Sequence, residues 1–176
     1  MTDPQLTIRQ ADPATHEVAG DLLRRFFAEE GLDTTPNRQS RGLSELLGDL
    51  RHCAVLVAWL ADEAVGIVTV SWNPSVEYVR AATLNDLYVV PAARGRHVAT
   101  TLVEAAATWA ADHGCSALFV GVGPEGELSH GVTGFFTARG FADEYRKLLS
   151  LALQPRTIDP QAATKPPATP SSEETT

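Results

Sequence analysis

The run from Val89 to Ala111, VVPAARGRHVATTLVEAAATWAA, decides how the rest of the chain is read. Its first residues suit a strand, Pro91 closes them, a short basic turn follows and an alanine-rich helix begins. Val98, Leu102, Ala105, Ala106 and Trp109 share one helical face while Glu104, Thr108 and Asp112 share another, so the periodicity predicts a helix over 95–112. A helix start offers unpaired N–H groups and the positive end of the helix dipole. Arginines are unfavourable there unless an anion offsets them, yet Arg94 and Arg96 stand at that place, and Thr100 and Thr101 add hydroxyls. The turn therefore reads as an anion site of the phosphate-binding kind, against the plainer reading of a solvated turn with incidental arginines. His97 occupies the position where such turns usually carry glycine.

Working outward, Gly114 stops the helix and CSALFVGV (115–122) resumes as a strand, while AATLNDLYVV (81–90) is the strand before the turn. CAVLVAWL (53–60) and AVGIVTVSW (64–72) are two β-rich runs separated by ADE, a hairpin signal. Upstream lie a strand, LTIRQA (6–11), and two helical patterns, THEVAGDLLRRFFAEEG (15–31) and NRQSRGLSELLGDL (37–50). Downstream, LSHGVTGFFTARG (128–140) suggests a weaker helix and YRKLLSLAL (145–153) a last strand. The order β α α β β β α β α β predicts an α/β domain, a mixed sheet with helices on both faces.

That domain is expected over residues 1–153. Residues 154–176 hold five of the eleven prolines and almost nothing that packs, so they read as a disordered Pro/Thr/Ser-rich tail. With 44% hydrophobic residues in 176, one core is expected. A net charge of −8 argues against nucleic-acid binding, which leaves a basic face. The N-terminal residues carry no apolar signal segment and no 18-residue apolar run occurs, so no membrane role and a cytoplasmic location are expected. Cys53 and Cys115 sit in apolar runs outside any C-x-x-C pair and read as buried free thiols. His16, His52, His113 and His130 have no partners at metal-ligand spacing, so no metal is expected.

Residues 121–126, GVGPEG, match the dinucleotide pattern G-x-G-x-x-G literally. Pro124 removes an N–H from the loop, Gly131 and Gly134 interrupt the helix, and no second nucleotide-binding half follows Asp143 and Glu144. A flexible loop is the better reading. No G-x-x-x-x-G-K-[ST] exists, which excludes a P-loop.

The run LNDLYVVPAARGRHVATTLVEAAATWAADHGCSALFVGV (84–122) followed by GFFTARGF (134–141) resembles the GNAT superfamily of acyl-CoA-dependent N-acyltransferases. The resemblance covers residues 50–153 well and the first 50 by element order. It implies acetyl-CoA as cosubstrate and a strand, Leu84–Val90, that splays from its neighbour. On this reading the backbones of Val89 and Val90 hold the pantetheine arm, and N–H groups from Arg94, Gly95, Arg96, His97, Val98 and Ala99 hold the pyrophosphate. Ser129 and Phe136 complete the cofactor side.

Three positions depart from the family pattern: His97 replaces a glycine, Phe136 the tyrosine that protonates the leaving thiolate, and Ser129 an asparagine. An alkylamine has a pKa of about 10.4, so an acceptor amine must pass a proton to something at neutral pH. Asp86 is the expected base, and Asn85 stands where the amine-acetylating branch often has glutamate, able to orient water but not to accept the proton. Glu29, Glu30, Trp72, Glu77 and Tyr78 are expected to border an acceptor pocket, where acids and aromatics suit a cation. The expectation is therefore an N-acetyltransferase acting on a small amine or peptide, with a homodimer allowed. The competing reading is a catalytically impaired module serving as an acyl-CoA sensor or protein-interaction domain.

Overall fold

A computed structural model describes residues 5–143 together with Leu148, Leu149, Leu151 and Leu153. By its contacts the chain divides into two units, Met1–Asp143 and Glu144–Thr176. The expected strand over 145–153 lies largely outside the described residues, and the tail over 154–176 lies wholly outside them.

Strands β3 (Glu63–Ser75) and β4 (Val79–Val89) form the middle of the first unit. Val65, Gly66, Ile67, Val68, Thr69 and Val70 are buried in succession, as expected for a strand covered on both faces. The sheet order is β1 (Leu6–Gln10), β2 (Cys53–Leu60), β3, β4, β5 (Ala117–Val120). Pairing is antiparallel throughout except between β4 and β5, which are parallel and joined by helix α3 (Val98–Asp112). The mixed α/β sheet is thus present, with its one parallel step at the strand–helix–strand unit.

Alternation along β3 separates the two helical layers. Gly66 faces α3: a Cβ there would stand 3.2 Å from Val98 Cγ1 and 3.1 Å from Leu102 Cδ1. Tyr88, opposite Ile67, faces the other way, its ring 6.2 Å from that of Phe26 on helix α1 (His16–Glu29). Helix α2 (Pro36–Gly48), capped by Thr35, adds Leu43 and Leu47 to the core. Two short helices follow β5: α4 (Pro124–His130) and α5 (Val132–Thr137).

The differences from the sequence reading have local causes. α3 begins at Val98 rather than residue 95, because Gly95 (φ 75°) and His97 (φ 63°) are both left-handed and no helix passes through them. GVGPEG is not a loop throughout: Pro124 takes the first position of α4, where its missing N–H costs nothing. The single helix expected over 128–140 is two, divided at Gly131 (φ 60°). β3 and β4 run on past Trp72 and Ala81 into a second hairpin closed between Ser75 and Val79. Cys53 and Cys115 are free thiols as expected but half-buried rather than buried. Among the described residues no helix is long and apolar enough to cross a membrane, and no group of three or more His, Cys, Asp or Glu could hold a metal.

Candidate active site

β4 bonds to β5 only over Ala81–Leu84, matched to Ala117–Val120, whereas its pairing with β3 continues to Val89. Beyond Leu84 the two parallel strands part, and one edge of β4 is left open. Val90 N–H donates to Val65 O at 3.0 Å, so the two-residue alternation turns the backbones of Tyr88 and Val90 toward β3. Those of Leu87 and Val89 turn toward the opening. Val89 O confirms this direction, since it accepts from Arg94 Nε across the opening at 3.0 Å. The Val90 N–H is therefore committed to the sheet, and Leu87 takes its place on the open edge.

The start of the splay is marked by a β-bulge. Thr69 pairs with Asp86 and Val70 with Leu84, leaving Asn85 as the extra residue. Asp86 accepts a short hydrogen bond from Thr69 Oγ1, and Asn85 Nδ2 donates to Ser71 Oγ at 3.0 Å. Burial pushes the Asp86 carboxyl above the ordinary range, and the Thr69 hydroxyl opposes this in part.

The opening widens into a cleft of about 670 Å³ between β4, β5, the end of α1, the start of α3, and α4–α5. Of the residues expected to hold a cofactor, Val89, Arg94, Gly95, His97, Val98, Ala99 and Phe136 line it. Val90, Arg96 and Ser129 do not; Arg96 and Ser129 are exposed. Of the expected catalytic pair, Asn85 lines the cleft and Asp86 lies just behind that wall. Glu29 and Glu30 line it too.

Trp72 and Tyr78 do not border the cleft, because the long β3–β4 hairpin carries them away from the splay. Trp72 donates Nε1 to Arg51 O at 2.8 Å and packs against His52 and Arg80. Tyr78 meets Phe119 edge-on at 5.4 Å, and Glu77 stands in the exposed hairpin turn.

Charge in the turn is arranged differently from the sequence expectation. Arg94 holds Glu29 through both carboxylate oxygens, at 2.6 and 2.8 Å, so its charge is already matched. His130 Nε2 approaches the same carboxylate at 3.3 Å. Glu29 thus ties α1 to the turn and to α4. Burial, and next the nearby Glu29 charge, push the Tyr88 phenol up.

Two cleft residues outside the expected set complete the far wall. Phe135 meets Phe136 edge-on at 5.1 Å, and Phe136 is buried with Phe141 on its other side. Arg139 lays its guanidinium 3.6 Å from the Phe135 ring centre, donates Nη1 to Phe135 O at 2.6 Å and bonds Thr100 Oγ1 through Nη2. The only sequence signal for it was a charge beside Gly140 in GFFTARGF.

A sheet that opens between two parallel strands onto a helix N-terminus leaves backbone groups unpaired beside a place that favours anions. Residues 19–141 match the Acetyltransferase (GNAT) family, and the chain belongs to it. No curated protein matches the chain. Among solved structures, AAC(6')-Iy in complex with the bisubstrate analogue CoA-S-monomethyl-acetylneamine is similar, with TM-score 0.73 and 21% identity over 85% of this chain and 99% of that one. Integron cassette protein HFX_CASS3, from the mobile metagenome of Cole Harbour Salt Marsh, has TM-score 0.73 and 25% identity over 85% and 91%. The aminoglycoside acetyltransferase meta-AAC0020, from an uncultured soil metagenomic sample and in complex with sisomicin, has TM-score 0.71 and 20% identity over 85% and 97%. At these identities the likeness is one of fold.

Proposed function

We propose that the protein transfers an acetyl group from acetyl-CoA to a primary amine of a small molecule or peptide by direct attack. The observation that carries this reading is the parting of β4 from β5 beyond Leu84, directly onto the start of α3. The outward N–H and C=O of Leu87 and the N–H of Val89 suit the amides of a pantetheine arm, which would extend the sheet as a further strand. The N–H groups at the start of α3 suit a pyrophosphate. His97 does not remove them, since its backbone already holds the left-handed conformation a glycine would take.

The thioester supplies an activated acyl group; the chain supplies position and a proton acceptor. Asp86 takes the amine proton through an intervening water, with Asn85 beside it on the cleft wall to orient that water. A carboxyl raised by burial is a stronger base than a solvated one, which suits this work. Glu30 and the aromatic rings of Phe26 and Tyr88 give the acceptor end an environment suited to a cation. The named partners of the structural neighbours, a neamine derivative and sisomicin, are amines and agree with that class. The two free thiols suit a reducing, cytoplasmic setting.

The test is thiol release from acetyl-CoA in the presence of polyamines, aminoglycosides, amino acids and peptides in turn. Amine-dependent release supports the reading; silence across all four classes with intact protein removes it. A second reading, an acyl-CoA sensor or interaction module, is favoured by Phe136, whose buried ring offers no hydroxyl to a leaving thiolate. Coenzyme A binding without any turnover would select it.

A further inference from the structure

Among the described residues, the cleft holds one guanidinium whose charge no carboxylate matches. Arg94 is matched by Glu29, but Arg139 has no carboxylate within ion-pair distance among the described residues. Its contacts are a carbonyl, a hydroxyl and the face of a ring. Its Nε is buried without a hydrogen-bond partner, the kind of orphan that calls for an explanation. It is also badly placed for a cation at rest. Thr100, which it grips, lies in the first turn of α3, where the helix dipole is positive and favours an anion. Unmatched guanidinium, orphaned donor and helix start converge on one side of the cleft.

We propose that Arg139 is a phosphate-binding residue of the cleft, its guanidinium completing, with the first turn of α3, a site for the pyrophosphate of a coenzyme A thioester. An anion between them would neutralise the guanidinium, offset its repulsion from the dipole and bring remaining donors of the fork into use. It would also supply the full charge that Arg94 spends on Glu29. Phe135 stacks beneath the guanidinium and fixes its plane, so little side-chain freedom is left to lose on binding. This assignment rests on the proposed use of acetyl-CoA.

Calorimetric titration with coenzyme A and 3′-dephospho-coenzyme A, and ligand-observed NMR with phosphate-free S-acetylpantetheine, test it on the full chain. Arg139→Gln should weaken both phosphate-bearing ligands by about ten- to a hundredfold, as expected for loss of hydrogen bonds to a charged group. Its binding should also depend less steeply on salt, and S-acetylpantetheine should bind as it does to the wild type. Arg139→Lys, which keeps the charge but not the fork, should fall between; should Arg139→Gln fail to fold, this variant decides. Equal binding of coenzyme A by wild type and variant overturns the proposal, as does an equal loss with S-acetylpantetheine, which would mean a supporting role only. A loss seen with coenzyme A but not its dephospho form assigns the contact to the 3′-phosphate and overturns the pyrophosphate assignment. Wild type that binds no coenzyme A at all overturns the reading of the cleft itself.

Discussion

Asn85 and Asp86 are neighbours in the chain, yet both reach the same face of β3, Asn85 to Ser71 and Asp86 to Thr69. Regular strand alternation would send them to opposite faces. The bulge at Asn85 removes that alternation at the point where β4 leaves β5, so an amide on the cleft wall and a carboxyl behind it stand side by side.

Asp86→Asn separates stability from activity. Burial raises the folded-state pKa above the unfolded value, so the folded protein binds the proton more tightly and stability falls as pH rises through that window. The cost is fully present above the folded pKa and disappears below the ordinary carboxyl pKa. The variant should therefore melt no lower than wild type at neutral pH, and lose any advantage in acid. Its kcat/KM should drop by about 10²–10⁴, the usual worth of a general base. Melting curves across pH, set beside steady-state rates, check both halves.

Glu29→Gln frees Arg94. The ion pair is partly exposed, with side-chain exposures of 37% and 30%, so its loss should cost only about 0–1 kcal/mol of stability. A carboxylate leaves the cleft and a guanidinium becomes available, so coenzyme A should bind about two- to tenfold more tightly at low salt. The gain should shrink as salt is raised. Calorimetry at two ionic strengths measures it; weaker binding would show that Arg94 needs Glu29 to hold its place.

His97→Gly tests the turn. A non-glycine residue in the left-handed region costs of order 1 kcal/mol, which glycine removes while adding unfolded-state freedom. Net stability should move by less than about 1 kcal/mol for that reason. The N–H groups are already placed, so coenzyme A should bind only modestly tighter as the imidazole leaves the cleft wall. His97→Val should destabilise, since a branched side chain tolerates this backbone far less well.

Gly66→Ala probes the packing that sets α3 against the sheet. The added Cβ would lie 2.9 Å from Tyr88 O and 3.1 Å from Leu102 Cδ1. Backbone must move, at a cost of about 1–3 kcal/mol. With roughly 2–4 °C per kcal/mol for a chain of this size, the melting temperature should fall by several degrees.

The strand–helix–strand unit was legible because its signals are local. Pro91 ends β4, Gly114 ends α3, and the apolar face of α3 has an unbroken period. The start of α3 was misplaced because His97 carries no glycine signal for its left-handed backbone. Trp72 and Tyr78 suit a pocket by residue type, and nothing in SVEY announces the hairpin that carries them away. Arg94 read as a free charge because its partner, Glu29, lies 65 residues away in sequence. Arg139 is hidden in the sequence for the same reason, its contact with Thr100 spanning 39 residues. Pattern and propensity locate elements; they do not say which charges a fold has already matched.

Calorimetric titration of the full chain with acetyl-CoA decides whether the parted strands and the start of α3 form a coenzyme A site. Binding should be saturable and one-to-one, weaken with salt and carry a negative heat-capacity change from burial of the apolar walls. No heat at millimolar acetyl-CoA with folded protein, or binding unaffected by salt, would contradict it.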